Sequence, residues 1–150
     1  MNHPADLPGA VRPACAADAP SLVPLVAELG YAITAGQLRE KLAAIEASGT
    51  DHALVAVDGE RLIGCIALHV LPLFHVEGKL GRITALVVDA SWRGQGIGHA
   101  LMEAAHAWFQ TCGCVRVEVT SGDQRADAHR FYARHGYARQ GQRLLMTLCP

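Results

Sequence analysis

A chain of 150 residues with 51% hydrophobic and 18% charged side chains is long enough to bury one core and too apolar for disorder. Its 13 basic and 14 acidic residues leave a formal net charge of −1, so neither nucleic acid nor an anionic membrane is an expected partner. No run approaches the ~20 apolar residues of a membrane span, and Met1-Asn2-His3-Pro4 lacks the basic start and apolar stretch of a signal peptide; a cytoplasmic location is expected.

Residues 1–10 are Pro-rich and polar and read as the flexible start of a single domain covering 1–150. Ala10 to Ala14, with Pro13 inside it, reads as an edge strand. Asp18 to Leu29 has Leu22, Leu25, Val26 and Leu29 at helical spacing, with Pro24 predicting a kink or a late start. Thr34 caps a second helix, Ala35 to Ala47, with Leu38, Leu42 and Ile45 on one stripe. Residues 52–57 and 62–68 are strands joined by an Asp58-Gly59 hairpin turn. After a loop from Pro72 to Gly78, Lys79 to Val88 reads as a strand. A helix over 96–111, a strand over 114–120, a helix over 123–135 and a last strand over 143–148 follow. Hairpins outnumber helical crossovers, which predicts a mostly antiparallel sheet in an α/β domain.

The five cysteines, Cys15, Cys65, Cys112, Cys114 and Cys149, are odd in number and include no C-x-x-C pair. A disulfide framework is not expected, and most read as buried free thiols. His99, Glu103 and His106 fall at i, i+4 and i+7 of the 96–111 helix. The apolar residues Ile97, Leu101, Ala104, Ala105 and Trp108 make the core stripe, so the His/Glu set reads as the solvated face, and no metal site is expected. A metal- or redox-sensing role through Cys112, Cys114 and the histidines predicts bound metal by elemental analysis.

The strand-to-helix turn Arg93-Gly94-Gln95-Gly96-Ile97-Gly98 carries the chemistry. Glycines let a backbone approach a ligand. The first N–H groups of a helix lack internal partners, and its dipole and Arg93 add positive charge. Such a turn suits a phosphate or pyrophosphate. It is not a Walker loop, because His99-Ala100 stands where Lys-Ser/Thr is needed; nor is it a dinucleotide fingerprint, because neither GxGxxG register is completed.

The R-x-x-G-x-G pattern at Arg93, Gly96 and Gly98 resembles the acetyl-CoA pyrophosphate loop of the GNAT superfamily of N-acetyltransferases. A second stretch, Ala126 to Tyr137, is similar to that superfamily's A-x-x-x-Y-x-x-x-G-[FY] helix, with Ala128, Tyr132, Gly136 and Tyr137 in place. The resemblance covers about residues 79–148. It implies a mixed, mostly antiparallel six- to seven-stranded sheet with helices on both faces and a splayed central strand pair. It also implies acetyl-CoA as co-substrate and a small primary amine as acceptor, in a chain that can form a homodimer. Leu86, Val87 and Val88 would line the pantetheine slot, and Arg93, Gly94, Gln95, Gly96, Ile97 and Gly98 the pyrophosphate, with Ala128 facing the cofactor. Arg125 stands where many members carry Asn; a subgroup has this R-x-x-A-H-x-F-Y version. Tyr132 would protonate the departing thiolate, whose ordinary pKa of ~8.5 lies below a phenol's ~10.

The position of the general base in histone-type relatives aligns with Leu80, which leaves His75, Glu77 and Glu118 as nearby candidates beside a water relay or an amine that arrives already neutral. The acceptor pocket is expected from the first two helices, their link at Tyr31, and the 72–78 loop with Phe74, His75 and Glu77. No cysteine has a nucleophile's setting, so direct attack by the amine is expected. A CoA-binding sensor module without turnover is the other reading.

Overall fold

The computed structural model describes residues 9–120 and 126–149. Its elements are β1 (Ala10–Pro13), α1 (Ala19–Glu28), α2 (Ala35–Ala47), β2 (Asp51–Asp58), β3 (Arg61–Pro72), β4 (Lys79–Val88), α3 (Ile97–Thr111), β5 (Cys114–Val119) and α4 (Ala126–Arg134). The strands lie in the order β1-β2-β3-β4-β5. The first three pairings are antiparallel, and β4–β5 is parallel with α3 as its crossover.

Local chemistry sets the helix starts. Thr34 Oγ1 accepts from the Gln37 N–H and Gln37 Oε1 accepts from the Thr34 N–H, a reciprocal box that fixes the start of α2. A 3₁₀ turn over Ala16–Asp18 precedes α1, which runs through Pro24 to Glu28. Pro24 removes one helical bond, to the carbonyl of Pro20, and both prolines are exposed to water. Arg12 of β1 donates from both terminal nitrogens to Asp18, each at 2.8 Å, and the Cys15 N–H adds a third bond at 2.9 Å. These contacts, led by Arg12, hold the Asp18 carboxyl down at about 2.

The period of two along the strands sorts side chains into two cores. Leu54, Ile66, Leu68, Val70 and Ile83 face α3, whose Ile97, Leu101, Met102, Ala105 and Phe109 complete that layer. Ala53, Val55 and Val87 face the other way, against Leu22 and Leu25 of α1 and Leu42 of α2. Helices therefore cover both faces. The Phe109 ring lies directly on Gly81 of β4, where a Cβ would meet it at 2.5–2.8 Å.

Among the described residues the sheet has five strands, not six or seven. Residues 143–148, expected as a last strand, are irregular and exposed, with Leu144, Leu145, Met146 and Leu148 between 75% and 90% accessible. The run Leu144-Leu145-Met146 puts apolar side chains on both faces of any strand it forms, and such a strand needs cover on both. The parallel pair β4–β5 therefore lies at the edge of the described sheet, not at its centre. At the other terminus, residues 1–8 lie outside the described residues. Gly9 and Ala10, assigned to the flexible start, are held to β2: the Gly9 N–H donates to Val57 O at 3.0 Å, and Ala10 pairs with Val57.

All five cysteines are free. Cys15 and Cys149 are exposed, because neither lies on a core-facing position, and Cys65, Cys112 and Cys114 are half-buried rather than buried. No described helix is long and apolar enough to cross a membrane.

Candidate active site

The site begins with an irregularity in β4. Its register with β3 slips between Ala67↔Ala85 and Leu68↔Ile83, which leaves Thr84 as an extra residue, a bulge. The Thr84 hydroxyl donates to Ala67 O at 3.3 Å. Pairing with β5 stops one residue earlier, at Ile83↔Val119, while β4 continues to Val88. β5 itself ends at Val119, so beyond the bulge β4 runs on with an open edge, the fork.

Hydrogen-bond parity shows what the fork exposes. The Asp89 N–H donates to Ile63 O at 2.8 Å, so alternate residues Val87 and Asp89 direct their peptide groups at β3. Leu86 and Val88 direct theirs into the fork. Arg93 Nε donates to Val88 O at 3.3 Å, consistent with that direction. Val87, by contrast, sends its side chain into the α1/α2 core and its peptide groups to β3. It anchors the strand rather than lining the fork.

At the top of the fork, α3 starts at Ile97 with Gly96 as N-cap at φ 84°, a left-handed conformation that favours glycine. A Cβ there would touch no protein atom within 4 Å, so the space above the turn is open. The first helical bond is Ala100 N–H to Gly96 O at 3.0 Å, which leaves the Ile97, Gly98 and His99 amides at the positive end of the helix. Gly98 serves a different need: a Cβ on it would meet the Phe131 ring at 3.2 Å, so its absence lets α4 pack on α3. Gly94 and Gln95 are exposed on the turn, with Gln95 Nε2 donating to Ser91 O at 3.4 Å.

Beside the turn, Arg93, Gly94, Asp127, Arg130, Ala133 and Arg134 line an open cleft of about 700 Å³. Three guanidiniums thus converge on one space, with Arg130 also paired to Asp127. Arg130 and Arg134 were not among the residues expected from sequence. Their i, i+4 spacing on α4 was the available signal. Ala128 is half-buried on the same helix, and Arg125 lies outside the described residues.

Tyr132 is half-buried against the α3-side core, its ring edge-on to Phe131 at 5.4 Å and to Tyr137 at 5.8 Å. Burial pushes the Tyr137 phenol up to about 12, and the neighbouring Tyr132 adds to the shift. His106 lies 2.7 Å from the Tyr137 oxygen and is pushed down by burial and then by His135, which fits a neutral imidazole accepting from the phenol. His99 likewise meets His135 at 2.9 Å as well as Glu103 at 3.0 Å. The face read as solvated is therefore partly the seam between α3 and the end of α4, because α4 folds back over it. Among the described residues no three His, Cys, Asp or Glu side chains are grouped to hold a metal.

The expected acceptor residues do not converge. Tyr31 follows α1, whose Glu28 accepts from the Ala90 N–H at 3.2 Å, beside the C-terminal end of β4. Phe74, His75 and Glu77 sit in the hairpin before Lys79, at the other end. Ten residues of strand separate the two groups by roughly 30 Å. All four are exposed, Phe74 fully.

The open edge of β4 thus leads to a helix N-terminus flanked by Arg93, Arg130 and Arg134. The model of the acetyltransferase (GNAT) family matches residues 25–137, and the chain belongs to that family. It is 34% identical over 97 residues to the aminoalkylphosphonate N-acetyltransferase of Salmonella typhimurium, across 65% of this chain and 63% of that protein. The chain spans less than two thirds of the length of the curated relatives it matches. Among solved structures it is similar to a transcriptional regulator from Bacillus halodurans C-125, with TM-score 0.83 and 24% identity over 92% of this chain and 98% of that one. A GNAT family acetyltransferase from Staphylococcus aureus aligns with TM-score 0.78 and 20% identity over 92% and 97%.

Proposed function

We propose that this protein transfers the acetyl group of acetyl-CoA to a small primary amine by direct attack of the amine on the thioester. The observation that carries the reading is the fork: the Leu86 peptide groups and the Val88 N–H directed at a gap that no β5 residue fills, with the Val88 carbonyl held by Arg93 Nε. An unpaired buried peptide group costs about 1–3 kcal/mol, so the gap favours an amide-bearing ligand such as the pantetheine arm. Five residue steps along β4, from Val88 back to Ile83, give a path of about 16 Å to the vertex. The Ile97, Gly98 and His99 amides and Arg93 suit the pyrophosphate. Arg130 and Arg134 supply further positive charge for the phosphorylated end.

The setting of the thiol on β3 supports direct attack. Cys65 is paired in register with Val87 and faces the opposite core, where burial pushes its thiol up to about 12. It offers almost no thiolate near neutral pH. Tyr132 is the acid in this reading, held close to the start of α3 by the Phe131–Gly98 contact.

The test is Tyr132→Phe, which removes only the hydroxyl. General acid catalysis contributes ~10²–10⁴ in rate. The expected result is at least a tenfold fall in kcat (thiol release) with acetyl-CoA affinity unchanged in calorimetry. A near wild-type kcat returns Tyr132 to packing. Tight acetyl-CoA binding without turnover across a broad amine panel makes the protein a CoA-binding module instead. No acetyl-CoA binding at all overturns the reading.

A further inference from the structure

One row of the sheet carries charge across four strands. Asp51 of β2 is opposite His69 of β3, His69 is opposite Arg82 of β4, and Arg82 is opposite Glu118 of β5. Directly opposed residues share a face. Because Leu68 and Ile83 in the next row face α3, this row points to the other face. There the α1/α2 layer covers Ala53, Val55 and Val87. The row lies just beyond that cover, with the Arg82 and Glu118 side chains each 46% exposed. Arg82 Nε donates to Glu118 Oε1, and His69 Nδ1 meets Asp51 Oδ1 at 2.7 Å.

The position of this row singles it out. It is one row from Ile83↔Val119, the last pair before the strands fork, and two residues from the Thr84 bulge. It thus borders the vertex where the proposed pantetheine path ends, on the face opposite α3.

We propose that Arg82 and Glu118 form the acceptor site and select a small zwitterionic amine, one whose ammonium is tethered to a carboxylate or phosphonate. The proposal rests on the acetyltransferase reading above and names its acceptor class. Glu118 takes the ammonium and Arg82 the anionic group. Without substrate the two side chains satisfy each other. An ion pair this exposed contributes little, so parting it costs little. A zwitterion replaces both partners at once and leaves neither charge unmatched. A simple alkylamine leaves Arg82 without its anion, and a polyamine sets a second ammonium against it. His69, already held by Asp51, adds a polar edge beyond Arg82.

The experiment measures kcat/KM by thiol release for three probes: 2-aminoethylphosphonate, propylamine and spermidine. Acetyl-CoA binding is followed by calorimetry on the same proteins. Wild type is expected to prefer the aminophosphonate about tenfold or more, the loss that one missing charge-assisted bond produces. Arg82→Gln should raise KM for the aminophosphonate and lower it for propylamine, which then strands no guanidinium. Glu118→Gln should raise KM for every amine. The exchange Arg82→Glu with Glu118→Arg keeps the ion pair but reverses its polarity. It should lose turnover at least tenfold while acetyl-CoA affinity stays at the wild-type value. A polarity-reversed protein as active as wild type shows that the pair is only a cross-strand staple and overturns the proposal. So does wild-type turnover that favours propylamine or spermidine. Loss of acetyl-CoA binding in wild type itself refutes the acetyltransferase reading instead, so the two failures are distinct.

Discussion

Replacing Gly96 with Ala tests whether the start of α3 holds the cofactor. Gly96 sits at φ 84°, where an L-residue with a side chain loses roughly 1–2 kcal/mol. A Cβ there meets no protein atom within 4 Å, so that conformational term is the whole cost to the fold. For a domain of this size each kcal/mol lowers Tm by about 2–4 °C, so a fall of about 2–8 °C is expected. Binding should suffer separately. If the turn holds its shape, the new methyl projects into the open space above it. If the turn relaxes, the Ile97 and Gly98 amides swing away. Either way about one charge-assisted hydrogen bond is lost, 1.5–3 kcal/mol, and Kd for acetyl-CoA rises about 10- to 150-fold. Gly59, in the β2–β3 hairpin at φ 60° with equally open space, is the control. Gly59→Ala should lower Tm similarly and leave Kd untouched. Thermal melts and calorimetry on both variants decide the matter. A Gly96→Ala protein that loses stability yet binds acetyl-CoA like wild type would remove this turn from the site.

Two further predictions concern the fold. Gly81→Ala places a methyl 2.5 Å from the fully buried Phe109 ring, and overpacking of this kind should lower the urea midpoint by the equivalent of about 1–3 kcal/mol; an unchanged midpoint would mean the ring moves freely. Asp18, held at about 2 by Arg12 and the Cys15 amide against an ordinary value of 3.8, contributes stability present above pH ~4 and lost as pH falls through about 2. Asp18→Asn should cost about 2 kcal/mol at neutral pH, and the difference from wild type should shrink across that acid window.

Local chemistry determined much of this protein. Thr34 and Gln37 fix the start of α2 by bonds to each other's backbone, so that boundary is read from neighbouring residues alone. β4 runs from Lys79 to Val88 and α3 ends at Thr111 as periodicity and turn residues require. The glycine turn and the Tyr132 helix are likewise contiguous motifs, and they carried the family. What depended on contacts between distant segments was not legible. The Thr84 bulge beside the fork is visible only once β3 and β4 are in register. The strand over 143–148 fails although its composition suits one, because pairing and cover are supplied by the rest of the chain. Arg93 meets Arg130 and Arg134 only because α4 packs on α3 through Gly98 and Phe131. Arg82 and Glu118 are 36 residues apart and adjoin only through the parallel register of β4 and β5. A sequence specifies local hydrogen bonds and periodicity directly, since their partners are a few residues apart. Register and helix packing follow from the whole core, and the tertiary structure alone decided them.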